Sequence, residues 1–172
     1  MTTRPESNEY VPYYGKYVAL VPDGDLAEIL SRQIDATMAL LSPLPEQRAA
    51  FAYARGKWTI KDVVGHLTDS ERVFSYRALR IGRNDKTPLP GFEQDDYVAC
   101  ANFNDRILSS LLEEFASVRK ATVQLFRSFG DKEWLRRGTA NGYEITALAL
   151  GYIVAGHELH HVEVLRTRYL AQ

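Results

Sequence analysis

The chain has 172 residues, 45% hydrophobic and 25% charged, with 21 basic and 22 acidic side chains giving a net charge of −1. That length can bury one substantial core. The balanced charge argues against nucleic acid or a membrane surface as partner, since both ask for a basic excess. No apolar run approaches the length of a membrane span, and the opening MTTRPESNEY lacks the apolar stretch of a secretory signal. The lone Cys100 has no partner for an internal disulfide. The expectation is a cytoplasmic protein folded as a single domain over residues 1–172.

Residues 1–20 carry Tyr10, Tyr13, Tyr14 and Tyr17, with Pro12 and Gly15 among them. Proline and glycine disfavour a long helix, so this segment is read as an extended arm packing its aromatics along the body. A first helix begins near Asp23 or Asp25, both acceptable N-caps. It places Leu26, Ile29, Leu30, Ile34, Met38 and Leu41 at helical spacing and is stopped by Pro43 and Pro45. Residues 46–57 form a connection with room for a helical turn.

The second helix has the clearest start. Thr59 can cap it, Asp62 stands where a capping box places its acid, and Trp58 can staple onto Val63. It runs to about Ile81 and stops near Gly82, with His66, Val63, Ser70, Val73 and Arg77 on one face. Residues 83–103, with Pro88, Pro90 and Gly91, make a long connection in which Asp95 to Ala101 can form a short helix. Together with the 138–143 turn, this segment is expected to border the site and control access to it. A third helix covers roughly Asn104 to Phe129, and Asp131 to Arg136 can add a further turn. Asn141-Gly142 marks a turn, and Thr146 caps a last helix running to Tyr169. No strand-period run of any length is visible. Four long amphipathic helices with a long crossover between the second and third describe an all-α four-helix bundle, a fold that builds metal and ligand sites between facing helices.

The chemistry gathers at Gly156-His157-Glu158-Leu159-His160-His161, which holds three of the chain's four histidines. On a helical wheel His157 and His161 fall on the apolar stripe with Leu150, Ile153, Val154, Val164 and Leu165. Side chains at i and i+4 are near enough to grip one metal ion, and burying two imidazoles without partners is costly. His157 with His160 is the competing pair, but His160 points away from the stripe. A lone histidine on an apolar face is more often a satisfied core residue than a ligand; the working hypothesis is that the fold brings His66 to the pair. The string also matches H-E-x-x-H, the zinc-protease signature with Glu as general base. That reading is weak, because no histidine follows His161 to serve as third ligand and no sheet is visible. Glu158 is instead expected to be partly exposed or to support a ligand. Asp69 and Glu71 read as solvated charges or interhelical ion pairs, with Asp69 a possible acceptor for an imidazole N–H. Arg77 is expected to pair with a carboxylate rather than bind an anionic substrate group. Cys100 has no identifiable activating neighbour.

The blocks Gly56-Lys57-Trp58-Thr59-Ile60-Lys61-Asp62-Val63-Val64-Gly65-His66-Leu67 and Ala155-Gly156-His157-Glu158-Leu159-His160-His161 resemble the DinB-like superfamily of bacterial four-helix bundles. Tyr76-Arg77-Ala78-Leu79-Arg80 and Pro88-Leu89-Pro90-Gly91-Phe92 extend the likeness over nearly the whole chain. The resemblance implies a divalent metal, most often zinc or nickel, held by His66, His157 and His161, and a homodimer. It also implies a small-molecule substrate, with a low-molecular-weight thiol as one class. Relatives include thiol S-transferases, thiol-dependent isomerases and proteins called metal-dependent hydrolases; many have no known reaction, and no catalytic residue is carried over. Two functions follow as expectations. One is a metal-dependent enzyme, thiol transferase or hydrolase, with an open coordination position. The other is a non-catalytic bundle that binds a metal or ligand for structure or sensing.

Overall fold

The computed structural model describes residues 3–171. Four long helices dominate: α1 (Leu26–Leu41), α2 (Ile60–Gly82), α3 (Leu108–Arg127) and α4 (Ala147–Val164). Three of them begin at caps legible in the sequence. Asp25 accepts from the Glu28 amide at 3.1 Å. Thr59 and Asp62 close a reciprocal capping box, the Asp62 amide donating to Thr59 Oγ1 and the Thr59 amide donating to Asp62 Oδ2. Thr146 accepts from the Ala149 amide at 3.0 Å. The start of α3 has no cap of its own; Glu46, from a short helix after α1, accepts from the Leu108 amide at 2.8 Å.

The helices do not pack in chain order. α1 packs on α3 and α4, and α2 packs on the same two, so α1 and α2 lie across one diagonal of the bundle and α3 and α4 across the other. Lys61 donates to the Arg106 carbonyl at the start of α2, and the ring of Phe129 covers Gly82 at its end. α2 and α3 therefore run parallel. α2 is 23 residues long, about 34 Å at 1.5 Å per residue, and the chain must travel back that distance before α3 can begin. Residues 83–107 do so, with a helix over Gln94–Ala101 on the way. The length of this connection is a consequence of topology. α2 and α4 are antiparallel, with the Tyr169 hydroxyl near the end of the chain donating to the Trp58 carbonyl at 2.7 Å.

Some expectations need correction. The arm is not extended throughout: residues 12–18 coil into a helical turn, and its first two residues lie outside the described residues. Pro12 suits a first helical position, its missing N–H costing nothing there, and Gly15 is tolerated in so short a helix. α3 begins four residues after Asn104, because Asn102 takes a left-handed conformation and Arg106 an extended one. Strands are present: β1 (Arg137–Ala140) and β2 (Tyr143–Thr146) form an antiparallel hairpin. Asn141 and Gly142, at φ 52° and 79°, make its two-residue turn. Strands of four residues are too short to show a period-2 pattern. The crossover is tied to this hairpin, since the Leu89 amide donates to the Thr139 carbonyl and the Asn141 amide to the Leu89 carbonyl, each at 2.9 Å. Beyond α4 the chain continues as a π-helical stretch, Leu165–Leu170.

The apolar core is divided. One cluster fills the end that holds Leu30, Phe126, Trp134 and Tyr152; a second fills the other end around Leu67, Leu111, Phe115 and Tyr169. Between them, at the middle of the helices, lies a polar cross-section containing His66, Glu71, Arg119, His157 and Glu158, each no more than 6% exposed.

Candidate metal centre

Each buried histidine of this cross-section follows a glycine. A Cβ on Gly65 would stand 2.4 Å from the Phe103 ring, and one on Gly156 would stand 2.0 Å from the Tyr17 carbonyl oxygen. Only hydrogen fits at either place. The two glycines let the end of the crossover and the N-terminal arm press onto α2 and α4 beside His66 and His157. That explains why the Gly-His pairs recur at the two blocks that carry the chemistry.

The imidazoles converge. His66 Nε2 lies 3.0 Å from His157 Nε2, which lies 3.1 Å from His161 Nε2. One nitrogen from each of the three falls within 4.8 Å of the others. The rings are wedged from several sides: Trp58 on His66 at 4.7 Å between centroids, and Tyr17 edge-on to His157 at 5.4 Å with Phe74 at 6.0 Å. Ser70 Oγ stands 3.3 Å from His66 Nδ1, placed to accept its proton and leave Nε2 as the lone-pair nitrogen.

Burial keeps these groups neutral. It pulls His66 down to about 4. It pulls His161 to about 3, helped by His66, His160 and Lys16. His157, the most enclosed, falls well below the ordinary histidine value, first through burial and then through its histidine neighbours. Protons can bridge the two short contacts at His157, but one cation would satisfy all three lone pairs. Two donors of a tetrahedral zinc-like ion at 2.0–2.1 Å lie about 3.4 Å apart, close to the spacings seen. The trio fits a divalent metal and can hold one.

The trio is reached from outside. His161 is half-buried and, with His160, lines a cleft of about 400 Å³ whose other walls include Tyr53, Trp58, Asp95 and Tyr169. His160 stays out of the convergence, its ring against Tyr17 at 5.5 Å and His161 at 5.1 Å.

Beside the trio lies a network that sequence reading missed. Arg119 is 1% exposed and holds Glu71 through Nε and Nη2, Glu158 through Nη1 at 2.7 Å, and the Leu30 carbonyl. Thr37 donates to the remaining Glu158 oxygen at 2.7 Å. Glu158 is thus neither partly exposed nor in contact with a ligand ring. It faces α1 and α3, away from the cleft, which also removes the general base that the zinc-protease signature requires. Burial raises its carboxyl and Arg119 pulls the other way, while its two carboxylates hold Arg119 firmly charged. A signal for this network existed: Arg119, Glu71 and Glu158 each occupy a core position of an apolar helical period. Of the two acids near His66, Glu71 makes the interhelical pair. Asp69 instead pairs with Arg72 at the surface and touches no imidazole. Arg77 pairs with no carboxylate among the described residues; it donates to the Pro90 carbonyl at 2.5 Å. Cys100 is exposed. The 138–143 turn borders a different cavity, so of the two segments expected around the site only the crossover reaches it, through Asp95 and through Phe92 packed on Phe74.

Comparison with known proteins agrees with this architecture. The profile of the DinB superfamily matches residues 29–165. YfiT from Bacillus subtilis, described as a probable metal-dependent hydrolase with an unusual four-helix bundle topology, superposes with a TM-score of 0.74 at 17% identity, over 95% of this chain and 92% of its own. The mycothiol-dependent maleylpyruvate isomerase superposes with a TM-score of 0.64 at 13% identity; the likeness covers 80% of this chain but only 58% of that protein. At these identities the likeness establishes the fold alone. No curated protein matches the sequence.

Proposed function

Because the chain belongs to the DinB superfamily, and because three neutral imidazoles meet at one point beside an open cleft, we propose that it is a metal-dependent enzyme acting on a small molecule. In this reading His66, His157 and His161 hold one divalent ion, zinc or nickel, and the reaction is thiol transfer or hydrolysis. The single observation that carries it is the convergence of the three imidazoles, His157 Nε2 lying 3.0 Å from His66 Nε2 and 3.1 Å from His161 Nε2, with one nitrogen of each within 4.8 Å of the others. Three protein ligands leave a fourth position, the arrangement of catalytic rather than structural zinc. The cleft at His161 supports the same choice, since a structural ion needs no approach from solvent. When bound, the ion would supply Lewis acidity and lower the pKa of a coordinated thiol or water.

The chain's own residues set the limits on the chemistry. Ser70 is placed to accept from His66 Nδ1, which would leave Nε2 free for the ion, and Trp58 and Tyr17 pack against the rings of His66 and His157. The aromatic walls of Tyr53, Trp58 and Tyr169 suit a substrate with an apolar portion. Glu158 is committed to Arg119 and Thr37, so the nearest carboxylate to the cleft is the exposed Asp95. That scarcity of protein bases favours thiol transfer, in which the nucleophile is activated by the ion itself, over hydrolysis that needs a general base. By the same reading the small substrate is a low-molecular-weight thiol and its acceptor, and the protein works in the cytoplasm as a homodimer.

The test is elemental analysis of untagged protein purified without added metal, followed by assay with a low-molecular-weight thiol and an electrophilic acceptor. About one zinc or nickel per chain, lost together with activity in His157→Ala, is expected. Metal-free protein that binds no divalent ion on titration would overturn the reading. A tightly bound ion with no turnover of thiol, ester or amide substrates would instead favour the non-catalytic bundle.

A further inference from the structure

Two arginines are buried among the described residues, Arg119 in the polar cross-section and Arg77 near the end of α2, and they are treated oppositely. Arg119 is enclosed by two carboxylates, a backbone carbonyl and an aromatic face. Arg77 is 4% exposed and pairs with no carboxylate among the described residues. Its guanidinium lies 5.6 Å from the centre of the Phe92 ring and 5.9 Å from that of Phe74, with one donor on the Pro90 carbonyl. Its other polar neighbours are the phenols of Tyr14, which is hydrogen-bonded to it, and Tyr97, and burial lowers its pKa where Arg119 is held up. A guanidinium carries five N–H donors in a planar fork. Desolvating one without an anion is costly, and the fold nevertheless locks it in place between two rings and a loop.

Arg77 forms one wall of a cavity of about 520 Å³ between the N-terminal arm and the hairpin. The arm contributes Tyr13 and Tyr14, the hairpin Tyr143 and Ile145, and α4 Leu150. None of the three converging histidines lines it, and the Phe74 ring stands between, 6.0 Å from the ring of His157. The one acid on the wall, Glu144, is bonded to Arg137 at 2.9 Å.

We propose that this cavity is a binding site for a monocarboxylate with an aromatic or apolar body, the carboxylate taken by Arg77 and the body by the tyrosine and aliphatic walls. The size is that of an ordinary small-molecule site. The charge selects the ligand: among the described residues Arg77 is the only cation lining the cavity, and it presents the fork that matches a carboxylate. A phosphate, with greater charge, would call for a second cation. The site stands apart from the histidine trio and does not depend on a metal there.

The test is a two-dimensional NMR titration of the full chain with benzoate and, separately, with its neutral counterpart benzamide. Benzoate should shift the Ile145 and Leu150 methyl resonances saturably, with benzamide about tenfold weaker or worse, the cost of losing a charged hydrogen-bonded pair. Arg77→Gln should weaken benzoate by about the same factor and erase the preference, while His157→Ala leaves benzoate affinity within about twofold. Equal binding of benzamide, unchanged benzoate affinity in Arg77→Gln, loss of binding in His157→Ala, or no saturable shift at all would each overturn the proposal. If Arg77→Gln fails to fold, Arg77→Lys keeps the charge without the fork and should weaken benzoate several-fold. The benzoate-to-benzamide ratio in the unaltered protein decides independently of any variant.

Discussion

His157 and Glu158 are consecutive residues on α4, both buried, and they face opposite fates. Glu158 turns toward α1 and α3, where every one of its polar atoms is bonded. His157 turns toward α2, and its Nε2 meets two other imidazoles. The charged layer is complete within the chain, whereas in the histidine layer two imidazoles share the single Nε2 of His157, which has one proton or one lone pair to offer. Buried polar groups in a folded protein are normally satisfied. The nitrogen shared between two partners is therefore the place to look for function, and the saturated layer next to it is the frame.

The largest effect should come from breaking the frame. Arg119→Met leaves Glu71 and Glu158 buried without their partner and should cost about 3–5 kcal/mol, read as a lowered urea midpoint in metal-free protein. The triple change Arg119→Met, Glu71→Leu, Glu158→Leu removes all three charges and should recover much of that loss. If the triple variant is stable and still binds metal, the layer is frame alone. If it is stable and binds none, the layer also orients the histidines, and the division drawn between the two regions fails.

Breaking the histidine layer should act the other way round. His66→Ala, His157→Ala and His161→Ala should each abolish retained metal. In metal-free protein His157→Ala should destabilise by only about 1–3 kcal/mol, less than Arg119→Met. Isothermal titration with zinc and denaturation of the same samples separate the two effects. A metal affinity unchanged in His66→Ala would show that α2 contributes packing rather than a ligand.

The two layers differed in how legible they were. The helices could be read because each has a long apolar period and three have capping side chains next to it. The trio could be read because His157 and His161 share one stripe, and the family resemblance supplied His66. Arg119 escaped because a single charged residue in an apolar period looks like a tolerated exception until its partners on two other helices are known. The hairpin escaped because each strand has only four residues. The arm's role escaped because it depends on Gly156 letting the Tyr17 backbone touch α4, a contact between segments far apart in sequence. Local pattern reveals elements; it does not reveal which element a glycine makes room for.

Acid offers a graded version of the comparison. In metal-free protein His66 and His161 have folded pKa values of about 4 and 3, below the ordinary histidine value of 6.5. The unfolded chain takes up protons first as pH falls. Stability is therefore full above about pH 6.5 and declines toward pH 3–4, by about 1.4 kcal/mol per pH unit for each group titrating alone in the unfolded state. Glu158 works in the opposite sense near and above the ordinary carboxyl value, because burial raises its pKa; Glu158→Gln removes that contribution. Urea midpoints from pH 7.5 to 4.5 in the presence of chelator give the slope. A flat profile would mean that the histidines are not held neutral.

The smallest expected effect is the most discriminating. His160 adjoins His161, lines the same cleft and sits in the same run of histidines, yet its ring is turned to Tyr17 and away from the meeting point. It is also the most exposed of the three histidines on α4, and burial lowers its pKa without a pairing partner to match. If convergence rather than histidine density makes the site, His160→Ala should keep its metal and change stability by no more than about 0.5 kcal/mol, the usual range for a substitution away from packed or paired groups. Any effect should appear at the cleft, as altered substrate affinity with metal stoichiometry unchanged. Metal loss equal to that of His161→Ala would mean that the i, i+3 pair competes with the i, i+4 pair for the ion, and the contrast between a histidine that converges and one that merely neighbours would not hold.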